Sequence, residues 1–193
     1  CRFGRLHFCG RAGELNNHAI IGVELRDIGD SCILLIKNKR GYTKICRHLT
    51  DYHASRKDLF DFNNLFEMKD RDFAMMSFSK KLLLQAKKFE INDLYFELTR
   101  GFFKHEDTLW AENHQIKLIA NNRVFYIHKE DRISFKLVRA IDENITLDQL
   151  DLRTYENEFC YLWNEEETLS FFSLYPQAIE NLKKLSSSLT SDW

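Results

Sequence analysis

The feature that most constrains the fold is a pair of strand-prone runs separated by only two residues. Residues 116–120 and 123–128 are rich in apolar and β-branched side chains, and Asn121 and Asn122 lie between them. Asn tolerates the left-handed φ of a two-residue turn, so this spacing predicts a β-hairpin. Apolar and polar residues then alternate over residues 133–137, as in a half-buried strand. The region therefore predicts a three-stranded meander.

The first quarter of the chain has a similar pattern. Residues 19–25 and 32–37 are strand-prone, and a turn-like stretch separates them. Residues 38–41 resemble a hairpin turn in which Gly41 supplies positive φ, so residues 42–46 are expected to return as an antiparallel strand. With a further strand at 94–99, the sequence predicts antiparallel β meanders over about residues 1–50 and 94–140.

Helical spacing of apolar residues separates and follows these meanders. Leu59, Phe62 and Leu65 recur at helical intervals, Ser79 is a suitable N-cap, and Pro176 fits the first turn of a helix. Helices are predicted over about residues 55–70, 79–92 and 176–186.

Strands and helices in separate runs indicate an α+β fold rather than alternating βαβ units. The 193 residues are enough for one domain over 1–193, or for two lobes with a boundary near 70–78. With 13% aromatic residues and only one Pro, the chain can bury a large core and is not expected to be disordered.

The net charge of −1 does not require a nucleic acid or an anionic membrane as partner. No apolar run approaches the ~20 residues that span a bilayer, so no membrane association is expected. The five cysteines are odd in number and widely spaced, and the first residues lack the apolar core of a signal peptide. A soluble, intracellular, cytoplasmic protein with reduced cysteines is therefore expected.

One possible metal site consists of two ligand pairs. His7 and Cys9, and Cys46 and His48, are each two residues apart, and on a strand such pairs face the same side. Together they offer four N and S ligands for a tetrahedral zinc ion. The alternative is that both cysteines are small buried apolar residues and both histidines lie at the surface. No metal site is assigned on this pattern.

A second possible site is Cys1 as an N-terminal nucleophile, because a terminal amine can act as the base for its own thiol. The glycine-rich stretch that accompanies such a nucleophile in amidotransferases is not evident here. The initiator Met could equally have been removed, or the numbering could simply begin at this residue.

A third possible site comprises carboxylates on or near predicted strands, which could hold Mg²⁺ as in a nuclease. These carboxylates are Asp93, Glu97, Glu106, Asp107 and Glu112, with Lys104 and Lys117 close by. No spacing distinguishes them from solvated strand faces. Common phosphate-loop, dinucleotide, serine-hydrolase and zinc-protease motifs are not found in the sequence.

These observations favour a non-catalytic binding or adaptor subunit of an intracellular multiprotein assembly with a protein partner. The first alternative is a small metal-dependent nuclease or phosphodiesterase, or a Cys-dependent hydrolase. The second is a nucleic-acid-binding module that uses a local basic patch, formed by residues 37–40 with Lys80, Lys81, Lys87 and Lys88. Which cofactor is bound, if any, is not determined by these residues; zinc is one possibility.

Overall fold

The computed structural model describes residues 19–27, 30–55, 60–69, 71–150 and 157–189. Within these ranges one sheet contains β1 (Gly22–Asp27), β2 (Asp30–Ile36), β3 (Phe73–Ser77), β4 (Leu94–Leu98) and β5 (Lys117–Ala120). The α-helices are α1 (Lys39–Ala54), α2 (Phe62–Phe66), α3 (Lys80–Lys88), α4 (His105–Asn113), α5 (Arg132–Glu143), α6 (Glu165–Phe171) and α7 (Pro176–Ser188). Short 3-10 turns cover Lys129–Asp131 and Phe172–Leu174. The predicted α+β class is confirmed.

The strands are ordered β1-β2-β3-β4-β5 in the sheet, and the sheet is mixed. β1 pairs with β2, and β2 with β3, in antiparallel fashion. β3 pairs with β4, and β4 with β5, in parallel fashion, with α3 and α4 as the intervening helices. The carboxyl ends of β3, β4 and β5 therefore lie at the same edge of the sheet.

The sheet is buried on both faces. One face carries alternate residues such as Leu34, Met75 and Phe96 into the larger core, which also includes Leu82 and Leu83 of α3. The other face packs Ala74, Met76, Tyr95 and Ile119 against Leu185 and Leu189 at the end of α7. This explains why β3 and β4 are apolar almost throughout: strands covered on both sides do not alternate.

Several predicted elements are confirmed. β1 and β2 form the expected hairpin, with Leu25 opposite Cys32. Ser79 caps α3 by accepting a hydrogen bond from the backbone N–H of Leu82. Pro176 begins α7, and the C-terminal helix ends within two residues of its predicted boundary.

The return strand predicted for residues 42–46 is wrong, because these residues belong to α1. Asn38 is the N-cap of this helix, and its side chain accepts a hydrogen bond from the backbone N–H of Gly41 at 2.9 Å. Glycine is required at position 41 because the backbone of Asp72 passes close to it, and not because of a positive φ. A Cβ atom there would lie 2.3 Å from the backbone oxygen of Asp72. The apolar residues of α1 that contact the core recur at helical spacing, namely Tyr42, Ile45, Leu49 and Tyr52.

The helix predicted over 55–70 is much shorter than expected, because α2 has only five residues. Residues 56–59 and 70 lie outside the described residues. The chain between the first two predicted helices contains β3, which lies at the centre of the sheet. All five residues of β3 are buried, so it has no alternating pattern by which a strand could be recognised.

The antiparallel meander predicted over 94–140 is also wrong. β4 and β5 are parallel and are joined through α4, as parallel strands require a crossover. Among the described residues, 123–128 make a single bridge, between Tyr126 and Tyr161, and neither Asn121 nor Asn122 has positive φ. Residues 133–137 form part of α5, because their apolar side chains also fit a helical period.

Candidate functional site

A buried charged cluster lies beside the carboxyl ends of β4 and β5. It consists of Glu24, Glu97 and Arg123. The side chain of Glu97 is 0% exposed and that of Arg123 only 4%. Arg123 Nε donates to Glu97 Oε1 at 2.8 Å and Nη2 to Oε2 at 3.1 Å, while Nη1 donates to Glu24 Oε1 at 3.2 Å. The guanidinium of Arg123 therefore links β1, which carries Glu24, to β4, which carries Glu97.

Local structure places each member of the cluster. Glu97 is one residue before the end of β4, and Arg123 follows the end of β5 by three residues. The backbone N–H of Asn121 donates to the carbonyl of Leu98, which holds the chain against β4 as it leaves the sheet. Because β4 and β5 are parallel, their ends are adjacent, and Arg123 reaches Glu97 directly.

All of these buried polar groups have partners. Thr99 Oγ1 and Asn121 Nδ2 also donate to Glu97 Oε1, at 2.8 and 2.9 Å. The Arg123 guanidinium carbon lies 4.9 Å from the ring centre of Phe78 and 5.8 Å from that of Phe102. Burial alone would lower the pKa of Arg123, but its hydrogen bonds to Glu97 and the nearby carboxylate charges raise it above the ordinary value. Arg123 therefore stays protonated, and the oxygens of the buried Glu97 carboxylate already accept four hydrogen bonds.

The carboxylates that suggested a Mg²⁺ site do not converge. Asp93 precedes β4 and pairs with Lys37, about 13 Å along the strand from Glu97 at a rise of ~3.3 Å per residue. Asp107 pairs with Lys80 at 2.6 Å, and Glu106 and Glu112 are exposed on α4. The ammonium of Lys104 is 3.8 Å from Glu106, and that of Lys117 lies over the ring of Tyr95. These residues either form separate ion pairs or lie at the surface.

The zinc hypothesis requires Cys46 and His48 to lie on a strand, and the structure does not place them on one. Cys46 and His48 lie on α1. Residues two apart in a helix are rotated by about 200° around its axis, so they face nearly opposite sides. His48 instead packs edge-on against Phe60, and burial lowers its pKa. His7, Cys9 and Cys1 lie outside the described residues, so the four-ligand site and the Cys1 nucleophile stay predictions. Among the described residues, no three His, Cys, Asp or Glu side chains are grouped closely enough to hold a metal ion.

Cys32 and Cys46 are free thiols, and the buried Cys160 thiol contacts Asn157. Burial raises the pKa of Cys32 strongly, and the charges of Glu24 and Glu97 raise it further. A thiol held neutral in this way is a poor nucleophile, and Cys32 packs as a core residue.

The predicted basic patch is largely neutralised by carboxylates. Arg40 Nε donates to Asp72 at 2.5 Å, and Lys81 lies 2.8 Å from Asp30. Lys37 and Lys80 are the partners of Asp93 and Asp107. Lys87 donates to the backbone carbonyl of His114. Four of the seven cations of the predicted patch are therefore paired with carboxylates.

A different set of cations does share one groove. The basic groove is lined by Arg100, Lys129, Arg132, Glu158, Phe159 and Tyr161, and it has a volume of about 340 Å³. Sequence analysis missed it because its cations are far apart in the chain. The available signal was the position of Arg100 directly after the strand predicted at 94–99, since ligands in sheets with parallel strands bind beyond the carboxyl ends of those strands.

An exposed apolar face on α5 is the second feature that sequence analysis missed. The α5 apolar face consists of Ile133, Leu137, Val138 and Ile141, whose exposures are 62%, 50%, 63% and 70%. Phe135 points the other way, where it stacks on Phe125 with ring centres 5.3 Å apart, and Ala140 is buried. The helix is therefore docked by a narrow inner face while a wide apolar face remains exposed.

The fold and these sites define a mixed α+β protein with a closed internal ion pair, a basic groove and an exposed apolar helix face. None of the helices in the described ranges is long and apolar enough to cross a bilayer. No protein-family model matches the chain.

The sequence is similar to a segment of bacterial DNA polymerase III subunit alpha. It is 26% identical over 214 residues to the proteins of Rickettsia conorii and Rickettsia felis, and 25% identical over 225 residues to that of Borreliella burgdorferi. Each alignment includes 95% of this chain but only 18% to 19% of the relative. The chain thus spans less than a fifth of the length of these relatives.

Proposed function

We propose that this chain is a non-catalytic binding unit of a DNA polymerase assembly in the cytoplasm, and that it docks on a protein partner through the α5 apolar face. The observation that carries this proposal is the exposure of four large apolar side chains on one side of a single helix. Scattered apolar residues are normal at a surface, but a contiguous apolar patch is typical of an interaction site.

The α5 apolar face has the geometry of an interface core. At 100° per residue its four side chains lie within an arc of about 140°, at the i, i+4, i+5 and i+8 positions. Asp142, whose side chain is 66% exposed, follows at one edge of this arc and pairs with Arg139 at 2.7 Å. An apolar centre with a charged rim is the usual arrangement of a protein interface.

The similarity to polymerase subunits supports the choice of partner. In those relatives the similar segment belongs to a polypeptide more than five times its length, so its surfaces have neighbours in the same assembly. We therefore expect the occupant of the α5 apolar face to be an apolar protein surface of a DNA polymerase subunit.

The paired carboxylates support a role in binding rather than in catalysis. Glu97 accepts four hydrogen bonds in the interior, and Asp93 and Asp107 each pair with a lysine. A catalytic carboxylate must instead be accessible to substrate, metal or water.

A site-specific photo-crosslinker at position 137 tests this proposal in cells of the organism that encodes the chain. The expected result is a crosslink to a DNA polymerase subunit, identified by mass spectrometry, and its loss in the Ile133→Ser/Ile141→Ser variant. The same crosslinker at Lys183, an exposed residue of α7, is the matched control. Crosslinks only to unrelated proteins, or equally from both positions, would exclude the α5 apolar face as the polymerase contact.

A further inference from the structure

The basic groove collects positive charge beyond the carboxyl end of β4. Arg100 follows β4 by two residues, Lys129 opens a 3-10 turn, and Arg132 begins α5. Glu158 also lines the groove, and Glu167 lies 3.7 Å from Lys129, so the three cations face two carboxylates among the described residues. The local balance is therefore positive, although the whole chain has a net charge of −1.

Arg100 is held by aromatic rings rather than by a carboxylate. Its guanidinium carbon lies 3.9 Å from the ring centre of Phe159, 5.4 Å from that of Phe171 and 5.9 Å from that of Trp163. Among the described residues, no Asp or Glu lies within ion-pair distance of it. Stacking uses the flat face of a guanidinium and leaves its N–H edge in the plane, where phosphate oxygens can accept two hydrogen bonds.

Lys129 is positioned on the same side by Tyr161. Its ammonium lies 4.8 Å from the Tyr161 ring centre and 3.7 Å from a carboxylate oxygen of Glu167. Its hydrogen bond with Tyr161 and the nearby Glu167 carboxylate raise the pKa of Lys129, so its ammonium is protonated throughout the physiological range. The Glu167 carboxylate is shared, since it also accepts a hydrogen bond from the Tyr161 hydroxyl at 2.7 Å.

We infer that the basic groove binds the phosphate backbone of single-stranded DNA, with Arg100, Lys129 and Arg132 as the phosphate-binding residues. Guanidinium and ammonium groups around a groove with aromatic walls are the combination with which proteins bind single strands. The choice of DNA rests on the proposed role in a DNA polymerase assembly, whereas the recognition of phosphate rests on the groove alone.

Fluorescence anisotropy with a 5′-labelled 20-nucleotide single strand tests the inference. The double variant Lys129→Gln/Arg132→Gln is expected to bind at least about tenfold more weakly at 50 mM salt. Its plot of log affinity against log salt should be shallower by about 1.4, because each lost phosphate contact on a single strand contributes about 0.7. Arg100→Lys keeps the charge but loses the planar fork, and should weaken binding less than the double variant.

A control variant that loses the same number of positive charges elsewhere distinguishes binding in the groove from the effect of the protein's total charge. Lys88→Gln/Lys183→Gln removes two exposed cations from α3 and α7, and it should bind like the wild type. Thermal unfolding followed by circular dichroism establishes that all variants are folded. Equal weakening by both double variants, or no binding by the wild-type protein at 50 mM salt, would overturn the inference.

Competition experiments identify what the groove recognises. Inorganic phosphate at millimolar concentration should displace the strand partly, and an RNA strand of the same sequence tests whether the backbone alone is sufficient. If polyglutamate competes as well as DNA does, the groove binds negative charge in general and does not recognise phosphate. That result would overturn the inference. Loss of the crosslink at position 137 with intact DNA binding would refute the proposed docking surface and leave the groove assignment standing.

Discussion

The burial of Glu97 determines which side chains must lie around it. A carboxylate without exposed surface must have donors for its oxygens, and Arg123, Thr99 and Asn121 provide them. Arg123 in turn requires a counter-charge, which Glu97 and Glu24 supply. Removal of one member therefore leaves a buried charge, and this cost exceeds the net contribution of the pair itself.

Arg123→Met is expected to destabilise the protein by about 3–5 kcal/mol, because Glu97 would be left buried without its cationic partner. Urea unfolding at pH 7 measures this free energy. The double variant Arg123→Met/Glu97→Leu should recover part of the loss, since neither ion is then present. Glu24 is 30% exposed, so Glu24→Gln should cost less than about 1 kcal/mol. A cost of Arg123→Met no greater than that of Glu24→Gln would contradict the buried-pair account.

At the scale of elements, the two helices mistaken for strands differ in how they contact the sheet. In α1, Gly41 lies against the backbone of Asp72, so the helix start approaches the residues before β3 closely. In α5, only a narrow face is docked, and the opposite face remains apolar and exposed. The first helix is therefore sensitive to an added methyl group, and the second tolerates polar substitution on its outer face.

Gly41→Ala should destabilise the protein by about 1–3 kcal/mol, because the new methyl group would overlap the Asp72 carbonyl oxygen. This loss opposes the gain of about 1 kcal/mol that Ala normally brings to a helix interior. Thr43→Ala, at an exposed position of the same helix, is the matched control and should be neutral or slightly stabilising. Thermal unfolding distinguishes the two outcomes, and a stabilised Gly41→Ala protein would show that the close approach is not present.

Leu137→Ser should change the free energy of unfolding by no more than about 0.5 kcal/mol, because this side chain is 50% exposed in the isolated chain. Leu83→Ala, which truncates a side chain with 0% exposure in α3, should cost about 2–5 kcal/mol. Urea unfolding of both variants checks the comparison. A cost for Leu137→Ser as large as that for Leu83→Ala would mean that α5 packs its outer face within the same chain.

For the whole molecule, ion pairs between elements hold the sheet and helices together. Asp30 at the start of β2 pairs with Lys81 of α3, and Asp107 of α4 pairs with Lys80. Asp72, just before β3, pairs with Arg40 of α1. These contacts join residues that are 27 to 51 positions apart in the chain, so they form only when the tertiary structure is complete.

Acid should destabilise the protein through these three carboxylates. Hydrogen bonds from Arg40 lower the pKa of Asp72. At Asp30 and Asp107 burial raises the pKa, but the hydrogen bonds and positive charges of their neighbours, including the paired lysines, together outweigh it and lower the pKa. A lowered folded-state pKa gives stability that is present above the unfolded value of about 3.9 and is lost as the pH falls through the folded value.

The free energy of unfolding should therefore decline below about pH 4, and Asp107→Asn should make that decline shallower. Urea unfolding between pH 2 and 7 measures both effects. Glu112→Gln, at an exposed position of the same helix, is the matched control. The same pH profile for wild type and Asp107→Asn would rule out the Lys80–Asp107 pair as a source of the acid sensitivity.

The candidate sites were only partly predictable, for a physical reason. Glu97 was recognised as a carboxylate of interest, but its partner Arg123 lies 26 residues away and was predicted as part of a strand. The cations of the basic groove are separated by up to 32 positions, from Arg100 to Arg132. Local patterns identify neighbours in sequence, whereas both sites are formed by segments that meet only beyond the ends of parallel strands.

The sequence alone determined those elements whose signals are local. The β1–β2 hairpin, the Ser79 cap of α3 and the start of α7 at Pro176 depend on turn geometry, capping and helical periodicity within a few residues. Tertiary structure decided the direction of β4 and β5, the central place of β3 and the helical state of residues 133–137. Alternating and helical apolar patterns overlap in short segments, and long-range packing on both faces of the sheet selects between them.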